Sequence, residues 1–192
     1  MADERNPHQI IRKDAKSCFV ESLSDAFSIG KMHLQFASYD LNKPAGQRQT
    51  NQINIYIEIS ELLELCRKFS SGEMRWIVQK KKQEVDMTPI QEWLGGTSAK
   101  KLQQYGKPRP DGKSLSRVAK LIVGSRTDFL FTASSGPGVE NEKGLIVPRF
   151  GKNPENHVSV SMSWEAVCEL LLVTKMHYEA WLVSWYSKNS KE

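Results

Sequence analysis

Between Gln52 and Phe69 the hydrophobic period of the chain changes. Ile53, Ile55, Ile57 and Ile59 fall on every second residue, and Leu62, Leu65, Cys66 and Phe69 then follow the spacing of one helix face. A period of two predicts a half-buried strand, and a period near 3.6 predicts an amphipathic helix. The switch predicts a strand that runs straight into a helix, with Ser60 as N-cap. Glu61 and Glu64 fall in the first turn, where the helix dipole favours negative charge. The helix is expected to stop near 70–72, at Ser-Ser-Gly. With the isoleucines turned inward, Asn54, Tyr56 and Glu58 face outward, and Glu58 is expected at an edge or beside a lysine.

The same reading extends in both directions. Met32, Leu34 and Phe36 alternate with His33, Gln35 and Ala37, a second half-buried strand. The polar stretch 41–52, with Pro44 and Gly46, reads as the loop of a long hairpin. EMRWIVQKKKQ, 73–83, is a short strand or helix with Trp76 and Val78 on one face, and its three lysines form a solvated run. Thr88, Pro89 and Gln91 have the spacing of a capping box, which predicts a short helix over 89–94 ended by Gly95 and Gly96. Residues 97–114 are polar and basic and read as a connector. Four strand-like segments follow, RVAKLIVGS, TDFLFTASS, LIVPRF and HVSVSMS, and then a long apolar helix capped by Ser163.

The order repeats. Strand, loop, alternating strand and helix at HLQFASYD…INIYIEISELLELC stands against the same order at DFLFTASSG…VSVSMSWEAVCELL. Ser60 matches Ser163, and Cys66 and Cys168 fall within one position of each other. This predicts an α+β chain of two repeated units, each an antiparallel four-stranded sheet plus a helix. The units span 15–72 and 115–192, with a tail at 1–14 and a connector at 73–114. A sheet backed by one helix buries one face and leaves the other open.

Composition narrows the chemistry. The 192 residues carry a net charge of +5, which leans towards a polyanionic partner. No apolar run approaches the roughly 20 residues of a membrane span, and the N-terminus lacks the apolar stretch of a secretory signal. Cys18, Cys66 and Cys168 are odd in number and far apart, which fits a reducing, cytoplasmic compartment. His8, His33, His157 and His177 have no metal-ligand spacing, so neither a metal nor a cofactor is expected. GKPRPDGKS, 106–114, has five residues between its glycines where a phosphate loop has four, and no strand-like run precedes it. With no local nucleophile signature either, the chain reads as a non-enzyme.

Meandering strands followed by a single helix, used in pairs with a basic open sheet, resemble the fold of transcriptional positive cofactor four and the Whirly proteins. The PUR repeat has a similar plan. The resemblance covers roughly 15–70 and 115–188. It implies an intramolecular pseudo-dimer whose sheets hold single-stranded DNA, or RNA, with little sequence preference. Proteins of this kind act in replication, transcription or plasmid transfer.

Single strands need rings for base stacking and cations for phosphates. The candidates in the first unit are Lys31, His33, Gln35, Tyr39, Lys43, Arg48, Asn54 and Tyr56. Those in the second are Arg126, Lys143, Arg149, Phe150 and Lys152. Phe129 and Phe131 are read as core in preference to stacking platforms. A second reading is a protein-interaction module that assembles with itself or another factor through the aromatic C-terminal helix. That helix is expected either between the units or docked on a partner.

Overall fold

The computed structural model describes residues 6–44 and 46–189. It is an α+β structure with two antiparallel sheets and four α-helices. The first sheet has four strands in sequence order: β1 (Gln9–Asp14), β2 (Cys18–Leu23), β3 (Lys31–Tyr39) and β4 (Gln49–Glu58). Then come α1 (Ile59–Ser70) and α2 (Glu73–Gln83). The second sheet has five strands: β5 (Gln91–Thr97), β6 (Ser114–Val123), β7 (Phe129–Glu140), β8 (Ile146–Pro148) and β9 (Asn156–Met162). A six-residue helix, α3 (Ala99–Gln104), joins β5 to β6, and α4 (Trp164–Asn189) ends the described chain. Both β8 and β9 pair with β7, at different ends of it.

The isoleucine alternation lands as the period requires. Ile53, Ile55, Ile57 and Ile59 are buried, as are Met32, Leu34 and Phe36 on the neighbouring strand. They meet the inward side of the second sheet, where Phe131 stands edge-on to Phe36 at 4.9 Å and Trp93 lies 5.8 Å from Phe131. Phe129 is core as well, against Phe69 and Trp164. The second sheet covers β3 and β4 and reaches β2 through β9, where Cys18 Sγ donates to the Ser159 carbonyl at 3.1 Å. The β1–β2 half lies under α4, where the Thr174 hydroxyl donates to Ser22 Oγ at 2.7 Å and Lys13 pairs with Glu169. Sheets and helices share one continuous core.

Several local expectations change. The capping-box segment is not a helix. Residues 91–97 are strand β5, in register with β6 from Gln91↔Leu121 to Thr97↔Leu115. The ladder with β6 satisfies the backbone of 91–97 and sets Trp93 in the core. Gly95 and Gly96 lie within that strand, and a Cβ on Gly96 would come within 2.5 Å of the Ile146 side chain. Thr88 instead binds Asp86 through both its N–H and its hydroxyl, and Lys81 donates to the same carboxylate at 2.6 Å. These bonds hold the Asp86 carboxyl down at about 2. The N-cap of α1 is Glu58, with Glu61 accepting from its N–H at 3.3 Å, two residues ahead of Ser60. Strand β1 occupies part of the expected tail, and α2, β5 and α3 occupy the expected connector. The second sheet has five strands instead of four. Segment 73–83 is helical, so Val78 turns inward while Trp76, two residues before it, is exposed beneath Lys80.

The end of α2 is strained. Val85 has φ +53° and is 79% exposed. It sits where Glu84 and Asp86 donate to the carbonyls of Lys80 and Lys81, a left-handed C-terminal position that suits glycine. A β-branched side chain there costs on the order of 1–3 kcal/mol. Val85→Gly is therefore expected to raise stability by about 1 kcal/mol, after the added flexibility of the unfolded chain is counted. The check is a higher urea midpoint at unchanged m-value, and a lower midpoint would contradict the strain.

Candidate nucleic-acid interface

The thirteen candidate residues divide between two surfaces, the outward faces of the two packed sheets and the loops at their ends. On the first sheet the register sets Arg12, Glu21, Gln35 and Asn54 in one row across the strands, with Leu23, His33 and Tyr56 in the next. A hydrogen-bonded chain runs from Gln52, in the adjoining row, into the first. Gln52 donates to Gln35 at 2.6 Å, and Gln35 donates to Glu21 at 2.9 Å. Glu21 is buried, and burial pushes its carboxyl above the usual range while the Arg12 charge acts against that shift. Asn54 is half-buried and accepts from Gln52 at 3.4 Å.

His33 departs from expectation. It lies on the outward face, yet only 5% of it is exposed. Tyr56 stacks over it with ring centres 4.5 Å apart, and its Nδ1 meets the Asp25 carboxylate at 2.8 Å. Its Nε2 is buried without a hydrogen-bond partner among the described residues. Tyr56 is the ring that the face presents, 48% exposed. Its hydroxyl pKa is raised by burial and by Asp25, with the Arg117 charge opposing both. Arg117 itself is drawn below its ordinary value by burial and donates to Thr97 Oγ1 at 3.1 Å. Lys31 is held by Glu58, the edge pairing expected of that glutamate.

At the other end of β3 the structure adds two residues to the candidates. Arg12 lies over the Phe19 ring at 3.6 Å, and Phe19 stacks on Tyr39 at 6.4 Å. These three side chains, with Leu41, Gly46, Arg48 and Gln49, line a cavity of about 440 Å³. Tyr39 is anchored through its hydroxyl to the Ala15 carbonyl, and Arg48 through Nε to the Lys43 carbonyl. Arg12 also holds Asp14 at 2.6 Å, while Arg48 and Lys43 have no carboxylate partner among the described residues. Neither Arg12 nor Phe19 carries a sequence signal. Arg12 lies in the segment read as a tail. Phe19 lies on a strand buried on both faces, where no period of two is visible.

The second sheet presents a larger groove of about 750 Å³. Its floor includes Lys120, Thr132 and Ser134, and one wall is the segment from Pro148 to Pro154, which brings Phe150 and Lys152. Phe150 lies directly over Gly136, where a Cβ would approach the ring to 2.8 Å, so the close approach depends on glycine. His157 accepts from or donates to Ser134 at 2.9 Å, and Lys120 is paired with Glu92 at 3.1 Å. Lys152 has no carboxylate partner among the described residues. Arg149 is exposed beside the groove, with its backbone N–H on the Pro137 carbonyl. Lys143 sits in the β7–β8 turn and Arg126 in the β6–β7 turn beside Lys82 and Asp128, both away from the groove.

Burial raises the thiol pKa at all three cysteines, Cys66 to about 11, which disfavours the nucleophilic thiolate. Among the described residues, no group of three His, Cys, Asp or Glu side chains could hold a metal ion, and no helix is long and apolar enough to cross a membrane. Comparison with protein-family models, with curated proteins and with solved structures finds no match to this chain.

Proposed function

We propose that this protein binds single-stranded nucleic acid, DNA before RNA, on the outward face of the first sheet. The observation that carries this reading is the cavity where Arg12 and half-buried Tyr39 pack on the buried Phe19 ring, beside Arg48, which has no carboxylate partner among the described residues. Rings for bases and guanidinium groups for phosphates are the two components that sequence-tolerant binding to a single strand needs. Tyr56 supplies a second ring. It pairs with His33, six residues from Tyr39 along β3, or about 20 Å at the rise of a strand. A strand laid along β3 would meet an aromatic at each end and amides between them. The groove of the second sheet, with Phe150 and Lys152, offers the same components and takes a further stretch of the strand.

The repeat reading belongs with this proposal. Four antiparallel strands and α1 are followed, after α2, by β5, β6, β7 and β9 in spatial order, with α3 between β5 and β6, and then α4. That order supports a tandem, Whirly-like pair of sheet-plus-helix units, with β8 as an addition to the second.

Titration of labelled oligo-dT, the matching RNA and a duplex at two salt concentrations tests the function. Single strands are expected to bind, duplex to bind more weakly, and log affinity to fall linearly with log salt, with a slope that counts phosphate contacts. Equal binding to duplex, or no binding at low salt, would remove the proposal.

A further inference from the structure

Helix α4 outruns the body of the protein. Its last buried side chain is Thr174, and residues 175–189 continue the helix for about 22 Å at 1.5 Å per residue. The aromatic stripe of this segment is engaged by the body only in its first half, at Tyr178 and Trp181, and Trp185 and Tyr186 beyond them are exposed. Tyr178 meets Phe27 at 5.3 Å, and Trp181 stacks on Tyr178 at 5.9 Å. A different stripe faces away from the body. Leu172, Met176, Glu179 and Val183 are all exposed, Met176 by 65% and Val183 by 67%. Their spacings of four, three and four are those of a coiled-coil seam, and a solvent-facing row of this kind is the signature of a helix partner.

We propose that this stripe pairs antiparallel with the same stripe of a second copy of the chain. Charge selects both the partner and the direction. Lys175 and Glu179 already bridge at 2.7 Å within the helix. In an antiparallel pair with Leu172 opposite Val183 of the second copy, Met176 lies opposite the second copy's Glu179. Lys175, next to Met176, then faces that carboxylate, so each Glu179 lies between two lysines. A parallel pair would instead set Glu179 against Glu179 on the seam, a like-charge contact. The antiparallel arrangement also places the two bodies at opposite ends of the helix pair. The stripe is distinct from the aromatic face that the composition of this helix first suggests, and the inference does not depend on nucleic-acid binding.

Sedimentation velocity on the full chain without nucleic acid, from low to high micromolar concentration, tests it. The wild-type mass is expected to rise to that of two chains. Met176→Glu and Val183→Glu are expected to return it to one chain, with circular dichroism unchanged. Glu179→Lys is expected to weaken the dimer, and Lys175→Glu combined with Glu179→Lys to restore it. Oxidation of the double variant Leu172→Cys, Val183→Cys should give a cross-linked dimer absent from wild type and from either single variant. A wild type that stays monomeric, a dimer indifferent to Val183→Glu, or cross-linking of Leu172→Cys alone would each overturn the proposal.

Discussion

Phe131→Ala is expected to cost about 3–5 kcal/mol of stability, the range for removing a buried aromatic ring. The ring is almost wholly buried between the two sheets, edge-on to Phe36 of β3 and tilted against Trp93 of β5. Its own strand is paired on both sides, to β6 and to β9. The cavity left by alanine cannot close without shifting three ladders at once, so the cost belongs at the upper end of the range. Against a typical total of about 5–15 kcal/mol, such a loss leaves little margin at physiological temperature. The measurement is the urea midpoint at unchanged m-value. Ile55→Ala, on the facing strand, should follow at about 2–5 kcal/mol. A loss below about 1 kcal/mol for Phe131→Ala would mean that the sheets do not share one core.

Tyr56→Ala should do the opposite, weakening nucleic-acid binding while leaving the fold intact. The side chain is half exposed, and its principal contact is the stack on His33. A lost stacking platform is worth about 1–3 kcal/mol per base, or roughly 5- to 150-fold in the dissociation constant. Arg48→Ala is the companion variant. Its guanidinium contributes to phosphate binding, so the slope of log affinity against log salt should fall by about one, whereas Tyr56→Ala should leave the slope unchanged. Fluorescence anisotropy at several salt concentrations separates the two, with thermal denaturation as the control for folding. Unchanged affinity in both variants would remove the first sheet from the site and leave the Phe150–Lys152 groove as the surface to test.

Much of the fold was legible where burial is one-sided. The period of two at Ile53–Ile59 and at Met32–Phe36 needs only that one face be dry, and those residues are buried. Phe129 and Phe131 follow the same rule. Ser163 caps α4 as read, accepting from the Ala166 N–H at 3.2 Å, because a cap depends on neighbours within one turn. Segment 91–97 misled because its local signals, Thr88-Pro89 and a glycine pair, favour a helix, while the partner that decides the matter, Leu115–Leu121 of β6, lies 18 to 30 residues away.

The candidate surface follows the same division. Alternation placed Asn54 and Tyr56 opposite the isoleucines, and they lie there. That His33 is buried follows from Asp25 and the Tyr56 ring, neither of them adjacent to it in the chain. The Arg12–Phe19–Tyr39 stack draws on three strands, and the groove at Phe150 depends on Gly136, fourteen residues earlier. Side-chain period is set by residues a few positions apart, so the linear order of this chain suffices for β3, β4, β6, β7 and β9, for α1 and α4, and for their inward faces. Which sheet takes β5, which cations remain unpaired and which stripe of α4 stays uncovered depend on contacts between distant segments, and those exist only once the core has closed.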